Sequence, residues 1–223
     1  MGLAILTRDD VAAYARALAP MQVIALPVTR TEPPPDPDAV ARALAEPHDA
    51  VLVASVRAAR LVLGTTAEVW AVGPATAALF PAARTPEVAD AASLARALLA
   101  ARGPVRVLVP RAQEGRDEAI ELLRAAGAHV IDVVAYRTVA AAADDPALAA
   151  GLAALARADV VVFFAPSQVA AFAALAAFPP VCVAIGPTTA ASLREHRVEP
   201  AVAASPTPAG IANAVASVYP ARR

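Results

Sequence analysis

Two segments of this 223-residue chain carry a pattern suited to holding anions. One is Trp70-Ala71-Val72-Gly73-Pro74-Ala75-Thr76-Ala77-Ala78; the other is Val183-Ala184-Ile185-Gly186-Pro187-Thr188-Thr189-Ala190-Ala191. In each, an apolar run closes on Gly-Pro and a Thr-bearing, Ala-rich segment follows. Such a run predicts a buried strand that stops abruptly. Pro suits the first position of a helix, because its missing N–H would be unpaired there anyway. The next amides, of Ala75 and Thr76 or of Thr188 and Thr189, are expected to point N–H groups out of the helix start, where a carboxylate fits. A tight strand-to-helix turn explains one copy; two copies concern the whole chain.

Other chemistries are excluded by what the chain lacks. All 19 basic residues are Arg, which removes Schiff-base and P-loop lysines. The single cysteine, Cys182, lies in an apolar run and reads as a small buried hydrophobe rather than a nucleophile. Alone, it excludes an internal disulfide, a Cys-rich zinc site and an iron–sulfur cluster. His48, His129 and His196 are scattered beside turns without metal-ligand spacing. A net charge of −1 argues against nucleic-acid and membrane-surface partners. Aromatics are only 4%, so the core must be built from Val, Leu, Ile and Ala.

The elements that position these residues alternate strand and helix. Strands are expected at Ala4–Thr7, Val23–Pro27, Ala50–Val53, Val69–Val72, Val105–Val109, Val130–Val134, Val160–Phe164 and Val181–Ile185. Helices are expected over Asp9–Leu18 (capped by Asp9 or Thr7), Asp38–Leu44, from Ser55, Ala91–Ala101 and Gly115–Ala126, the last ended by a left-handed Gly127. Further helices follow Asp145-Pro146, run over Ser167–Phe178 and Thr188–Arg197, and start at Thr207-Pro208. Between Val160 and Leu193 no residue is charged, yet Pro166, Pro179, Pro180 and Pro187 cut the stretch into short pieces unlike a membrane span of ~20 apolar residues. The first ten residues do not read as a signal peptide, so a cytoplasmic protein is expected.

The repeat extends beyond Gly-Pro. Arg30-Thr31 mirrors Arg137-Thr138, and Asp49 through Ser55 mirrors Asp159 through Ser167. Alternating elements imply an α/β fold with parallel sheets and right-handed crossovers. Two similar halves imply two such sheets flanked by helices, with a ligand cleft between them at the strand C-terminal ends. A simple tandem and a nested arrangement both satisfy the periodicity.

In order, these motifs resemble those of the uroporphyrinogen-III synthases over nearly the whole chain. The resemblance rests on Leu6-Thr7-Arg8, Ala71-Val72-Gly73-Pro74-Ala75-Thr76-Ala77, Val107-Leu108-Val109-Pro110-Arg111, Gly127-Ala128-His129-Val130, Val134-Ala135-Tyr136-Arg137-Thr138, Ala165-Pro166-Ser167, Ala184-Ile185-Gly186-Pro187-Thr188-Thr189-Ala190 and Ser205-Pro206-Thr207-Pro208. It implies two α/β domains joined by a two-stranded linker, the second inserted into the first: 1–28 with 139–223, 33–134, and a hinge of 29–32 and 135–138. It also implies a cofactor-free enzyme that closes the linear tetrapyrrole hydroxymethylbilane, inverting the last pyrrole and losing water. Neither metal nor nucleic acid nor membrane is involved, and a monomer is expected.

By the same resemblance Tyr136 assists departure of hydroxide, since a phenol can donate a proton. Arg8, Ser55, Thr76, Arg111, Ser167, Thr188 and Thr189 hold substrate carboxylates. The alternative is a non-catalytic relative that binds a tetrapyrrole or other polyanion. Where relatives often carry a hydroxyl residue, this chain has Ala54 before Ser55 and Ala165 before Pro166. Those losses matter little if backbone amides carry the grip.

Overall fold

A computed structural model describes residues 2–219, so Met1 and 220–223, assigned above to the first domain, lie outside the described residues. The chain divides into two compact units, 1–30 with 139–223, and 31–138.

The first unit holds β1 (Leu3–Leu6), α1 (Ala12–Ala17) and β2 (Gln22–Ala25) from the N-terminal end. The later chain adds α7 (Ala149–Ala154), β8 (Val160–Phe163), α8 (Pro166–Leu175), β9 (Cys182–Ala184), α9 (Pro187–Glu195), β10 (Ala201–Val202) and α10 (Pro208–Val218). Its sheet has the order β10-β9-β8-β1-β2, parallel throughout. The second sheet takes β3 (Thr29–Glu32), β4 (Ala50–Val53), β5 (Glu68–Ala71), β6 (Arg106–Ala112) and β7 (His129–Ala140). Its order is β3-β7-β6-β4-β5, with β7–β6, β6–β4 and β4–β5 parallel. Helices α2 (Ala39–Ala45), α3 (Val56–Leu61), α4 (Pro74–Ala77), α5 (Ala91–Arg102) and α6 (Glu118–Ala125) belong to this unit.

Parallel strands covered on both faces read as continuous apolar runs. Accordingly β1, β4 and β8 are buried along their whole length, whereas the edge strands β2, β3 and β10 are partly exposed. Alternation then divides each strand between two cores. Leu3, Ile5, Val161 and Phe163 face one side of the first sheet, and Ala4, Leu6, Val160 and Val162 the other. Val51 and Val53 are separated from Ala50 and Leu52 in the same way.

The second sheet repeats the strand order of the first. A parallel bridge from Trp70 to Arg84 stands where β10 pairs with β9, and then β5, β4, β6 and β7 follow as β9, β8, β1 and β2 do. The mirrored aspartates do the same work in each copy. Asp159 accepts from the Leu3 amide at 2.7 Å and returns its own amide to Leu3 at 2.9 Å. Asp49 accepts from the Arg106 amide at 2.8 Å and returns its amide to Arg106 at 2.9 Å. Each carboxylate satisfies a strand-start N–H that would otherwise be unpaired.

Several local expectations need correction. Helix α1 starts later than Asp9, after Val11, with no side-chain cap, and neither Asp9 nor Thr7 serves it. Thr7 is instead buried with its hydroxyl 3.0 Å from the Val162 carbonyl. The copy after Gly73-Pro74 is a single helical turn rather than a full helix, and the segment 135–138 continues β7 without a break. Residues 146–157 wind as a short α-helix between two 3₁₀ turns rather than one helix. Strand β10 was not foreseen: two residues give too short a period to detect. Gly127 does take the left-handed conformation, with φ 86°. No described helix is long and apolar enough to cross a membrane.

Candidate functional site

Parallel strands end on one edge of a sheet, so the residues after them gather there. In the second unit this edge carries the starts of α3 and α4 and the end of β6. A hollow of about 240 Å³ opens among Ala54, Ser55, Arg111, Gly115, Arg116 and Tyr136. Three sequence-expected residues, Ser55, Arg111 and Tyr136, thus line one space.

Ser55 lies at the end of β4 in extended backbone and caps α3, accepting from the Ala58 amide at 3.1 Å. Tyr136 reaches it from β7, its hydroxyl donating to Ser55 Oγ at 3.1 Å. A bulge sets this approach: Arg111 pairs with Val134, but the next residue, Ala112, pairs with Tyr136. Bulges re-aim side chains at the ends of strands. The Arg57 guanidinium stands 5.9 Å from the Tyr136 ring centre and hydrogen-bonds the Thr31 hydroxyl.

Arg111 is engaged within its own unit. Its Nε and Nη2 donate to the two Asp132 oxygens at 2.7 and 3.1 Å, and Nη1 donates to the Gly115 carbonyl at 3.1 Å. Nη2 also pairs with Asp117 at 3.1 Å. The hydrogen bonds to Asp132 hold the guanidinium above its ordinary range. Its charge is therefore matched within the unit, and it pins the 113–117 turn as the wall of the hollow.

Thr76 lies in the same unit and is buried, but its amide is not available to a ligand: it donates to the Gly73 carbonyl at 3.1 Å. The expectation of an open N–H at Thr76 fails because a helix of one turn closes with a tight bond at once.

In the first unit the adjacent strands β9, β8 and β1 deliver the rest. Ser167 is exposed at the second position of α8, and Thr189 is buried at the third position of α9, beside Thr188. Neither Ala165 nor Gly186, which precede these helices, supplies a side-chain cap. Arg8 follows β1. Its guanidinium lies 5.1 Å from the Tyr14 ring centre and 5.0 Å from that of Phe164, and Nη1 donates to the Tyr14 hydroxyl at 3.2 Å. Arg8 Nε is buried without a partner.

Tyr14, Phe164 and Gln168 were missed by sequence reasoning. Gln168 Oε1 accepts from the Phe164 amide at 2.8 Å and from the Thr7 hydroxyl at 2.7 Å, fastening the start of α8 to the end of β1. Its only signal was a polar side chain in an otherwise uncharged stretch. Cys182 is buried, and desolvation pushes its thiol up to about 12, which removes it as a nucleophile. Among the described residues no three His, Cys, Asp or Glu side chains gather where a metal ion could be held.

The HEM4 family model, described as uroporphyrinogen-III synthase HemD, matches residues 9–213. No curated protein sequence matches this chain. Among solved structures it is similar to the uroporphyrinogen-III synthetase of Helicobacter pylori 26695. That likeness has a TM-score of 0.67 at 17% identity and covers 97% of this chain and 99% of that one. It is also similar to a mutant uroporphyrinogen III synthase from the extremely thermophilic bacterium Thermus thermophilus. There the TM-score is 0.56 at 23% identity, covering 91% of this chain and 92% of that one. At these identities the likeness shows the fold.

Proposed function

The chain belongs to the uroporphyrinogen-III synthase family, and from that premise we propose how its side chains divide the work. It is an enzyme that closes hydroxymethylbilane into uroporphyrinogen III, inverting the last pyrrole ring and releasing water. Closure also occurs without a protein and then leaves the last ring unflipped. The protein therefore supplies positioning and help for the departing hydroxide. General-acid help is typically worth ~10²–10⁴-fold in rate.

Tyr136 gives that help. What supports this assignment is its position in the lining of the second unit's hollow, with the ring packed against the core and the hydroxyl held by Ser55. The substrate's carboxylates are held by Arg8, Ser167, Thr188 and Thr189 of the first unit and by the α4 start of the second, where Ala75 precedes Thr76. Supporting this are helix starts at Gly73, Ala165 and Gly186 without side-chain caps, and an Arg8 held between aromatic rings. Anions are suitable partners for such helix starts. Arg111 shapes the hollow and is left out of the binding set.

We take the two compact units as two domains, the second inserted into the first through 29–32 and 135–138. The sheet orders support this, since β1 and β2 lie beside β8 rather than beside β6.

The family match over residues 9–213 carries the reading of function. Its test is to supply hydroxymethylbilane and resolve the isomers formed. Uroporphyrinogen III should predominate. Only the unflipped isomer, formed at the spontaneous rate, would leave the protein as a tetrapyrrole-binding relative without catalysis.

A further inference from the structure

We propose that Ser55 is a positioning residue for Tyr136, stabilising the phenolate formed when Tyr136 gives up its proton. This rests on the reading of Tyr136 as general acid.

Ser55 Oγ sits between two donors. The Ala58 amide reaches it at 3.1 Å and the Tyr136 hydroxyl at 3.1 Å. Both acceptor positions of the serine oxygen are filled, while its own proton is bound to neither partner. In the resting enzyme Tyr136 donates and Ser55 accepts. When the C–O bond of the substrate's hydroxymethyl group breaks, the bonding pair leaves with oxygen, and the Tyr136 O–H, turned from Ser55 to that oxygen, gives its proton to complete a water molecule. The phenolate left behind needs a donor. Ser55 supplies one by rotating its O–H through the same 3.1 Å contact, with the Ala58 amide still donating to its oxygen. No heavy atom has to move. The proton shed by the attacked pyrrole carbon after ring closure returns to the phenolate, so protons balance over the cycle.

The surroundings suit an anion at this oxygen. The Arg57 guanidinium lies 5.9 Å from the Tyr136 ring centre, on the same short helix that Ser55 caps. The β7 bulge at Ala135 fixes the partner from the other side, because Ala112 pairs directly with Tyr136 and Gln113 donates its amide to the Tyr136 carbonyl at 2.8 Å. Both ends of the hydroxyl pair are thus held by backbone, which keeps the rotation short and cheap. With its acceptor positions filled by protein groups, Ser55 keeps its own proton to give, and the Tyr136 oxygen already stands within its reach.

A plain capping role makes a different prediction, so the experiment separates them. Gly is nearly as good a cap as Ser but has no hydroxyl, whereas Thr keeps both functions. The rate of uroporphyrinogen III formation is measured for Ser55→Gly, Ser55→Thr, Tyr136→Phe and the double variant Ser55→Gly/Tyr136→Phe. Folding is checked by circular dichroism, and Ser55→Ala replaces the Gly variant should that one unfold. Ser55→Gly is expected to lower kcat about tenfold with KM within about twofold, the range for a hydrogen bond to a charged group. Ser55→Thr should restore kcat to within about threefold. In the Tyr136→Phe background, Ser55→Gly should cost nothing further, because its partner is gone. Wild-type kcat in Ser55→Gly, with Tyr136→Phe impaired, overturns the assignment of Ser55 and leaves Tyr136 standing. Losses that multiply in the double variant overturn it too. Full activity in Tyr136→Phe sinks the reading of Tyr136 itself.

Discussion

Arg8 shows how one side chain can be made ready for an anion. Its flat guanidinium is flanked by the Tyr14 and Phe164 rings, themselves edge to face at 4.9 Å, and among the described residues no carboxylate pairs with it. The two ring contacts and the Tyr14 hydroxyl hold the group without cancelling its charge, the reverse of Arg111, whose charge Asp132 and Asp117 answer. Two arginines of similar sequence context, each following an apolar run, therefore have opposite surroundings. Phe164→Leu should raise KM for hydroxymethylbilane about fivefold and leave kcat within about twofold, since one cation–π contact is worth ~0.5–2 kcal/mol. Steady-state kinetics on the purified variant would check it; an unchanged KM would remove Arg8 from substrate binding. Sequence placed Arg8 and Arg111 at strand ends, but Phe164 lies 156 residues from Arg8 and Asp132 lies 21 from Arg111, beyond any local pattern.

Helix starts differ by what stands before them. Ser55, Asp90, Asp145 and Thr207 each accept from an amide in their own first turn, while Gly73, Ala165 and Gly186 have no side chain to do so. Residue type made only part of this division legible, since Asp38 and Asp117 precede α2 and α6 without capping them. Packing at α7 was not legible. A Cβ on Gly151 would lie 2.7 Å from Leu26 and 2.8 Å from the Ala25 carbonyl, so α7 meets β2 through bare backbone. Ala normally gains ~1 kcal/mol over Gly in a helix, and overpacking typically costs ~1–3 kcal/mol. Backbone oxygen cannot yield easily, so the cost should win. Gly151→Ala should lower Tm by about 3–6 °C in a thermal melt. Equal or higher Tm would mean that α7 can shift outward. The bulge at Ala135 was equally unreadable, because nothing in Val134-Ala135-Tyr136 marks a residue left unpaired between Arg111 and Ala112.

Two sheets of matching strand order, each with its own pair of cores, make up the whole chain. One of them is continuous in sequence from β3 to β7. A fragment of residues 29–140 keeps both of its cores and every strand of that sheet. It should fold alone, giving one cooperative urea transition by circular dichroism. A featureless, non-cooperative melt would show that this unit depends on the other.

From sequence alone came the alternation of strand and helix, the Gly-Pro turns, the aspartate-to-serine repeat and the chemistries a chain without Lys cannot perform. These are local properties: apolar runs, punctuation by Pro and Gly, and residue identity act over a few neighbours. Tertiary structure alone decided that β1 joins β8, that Ser55 meets Tyr136 and that Arg111 is matched by Asp132, contacts spanning 156, 81 and 21 residues. Such contacts depend on which strands become neighbours and in what register. Periodicity leaves both open, because a buried strand is equally apolar beside any partner.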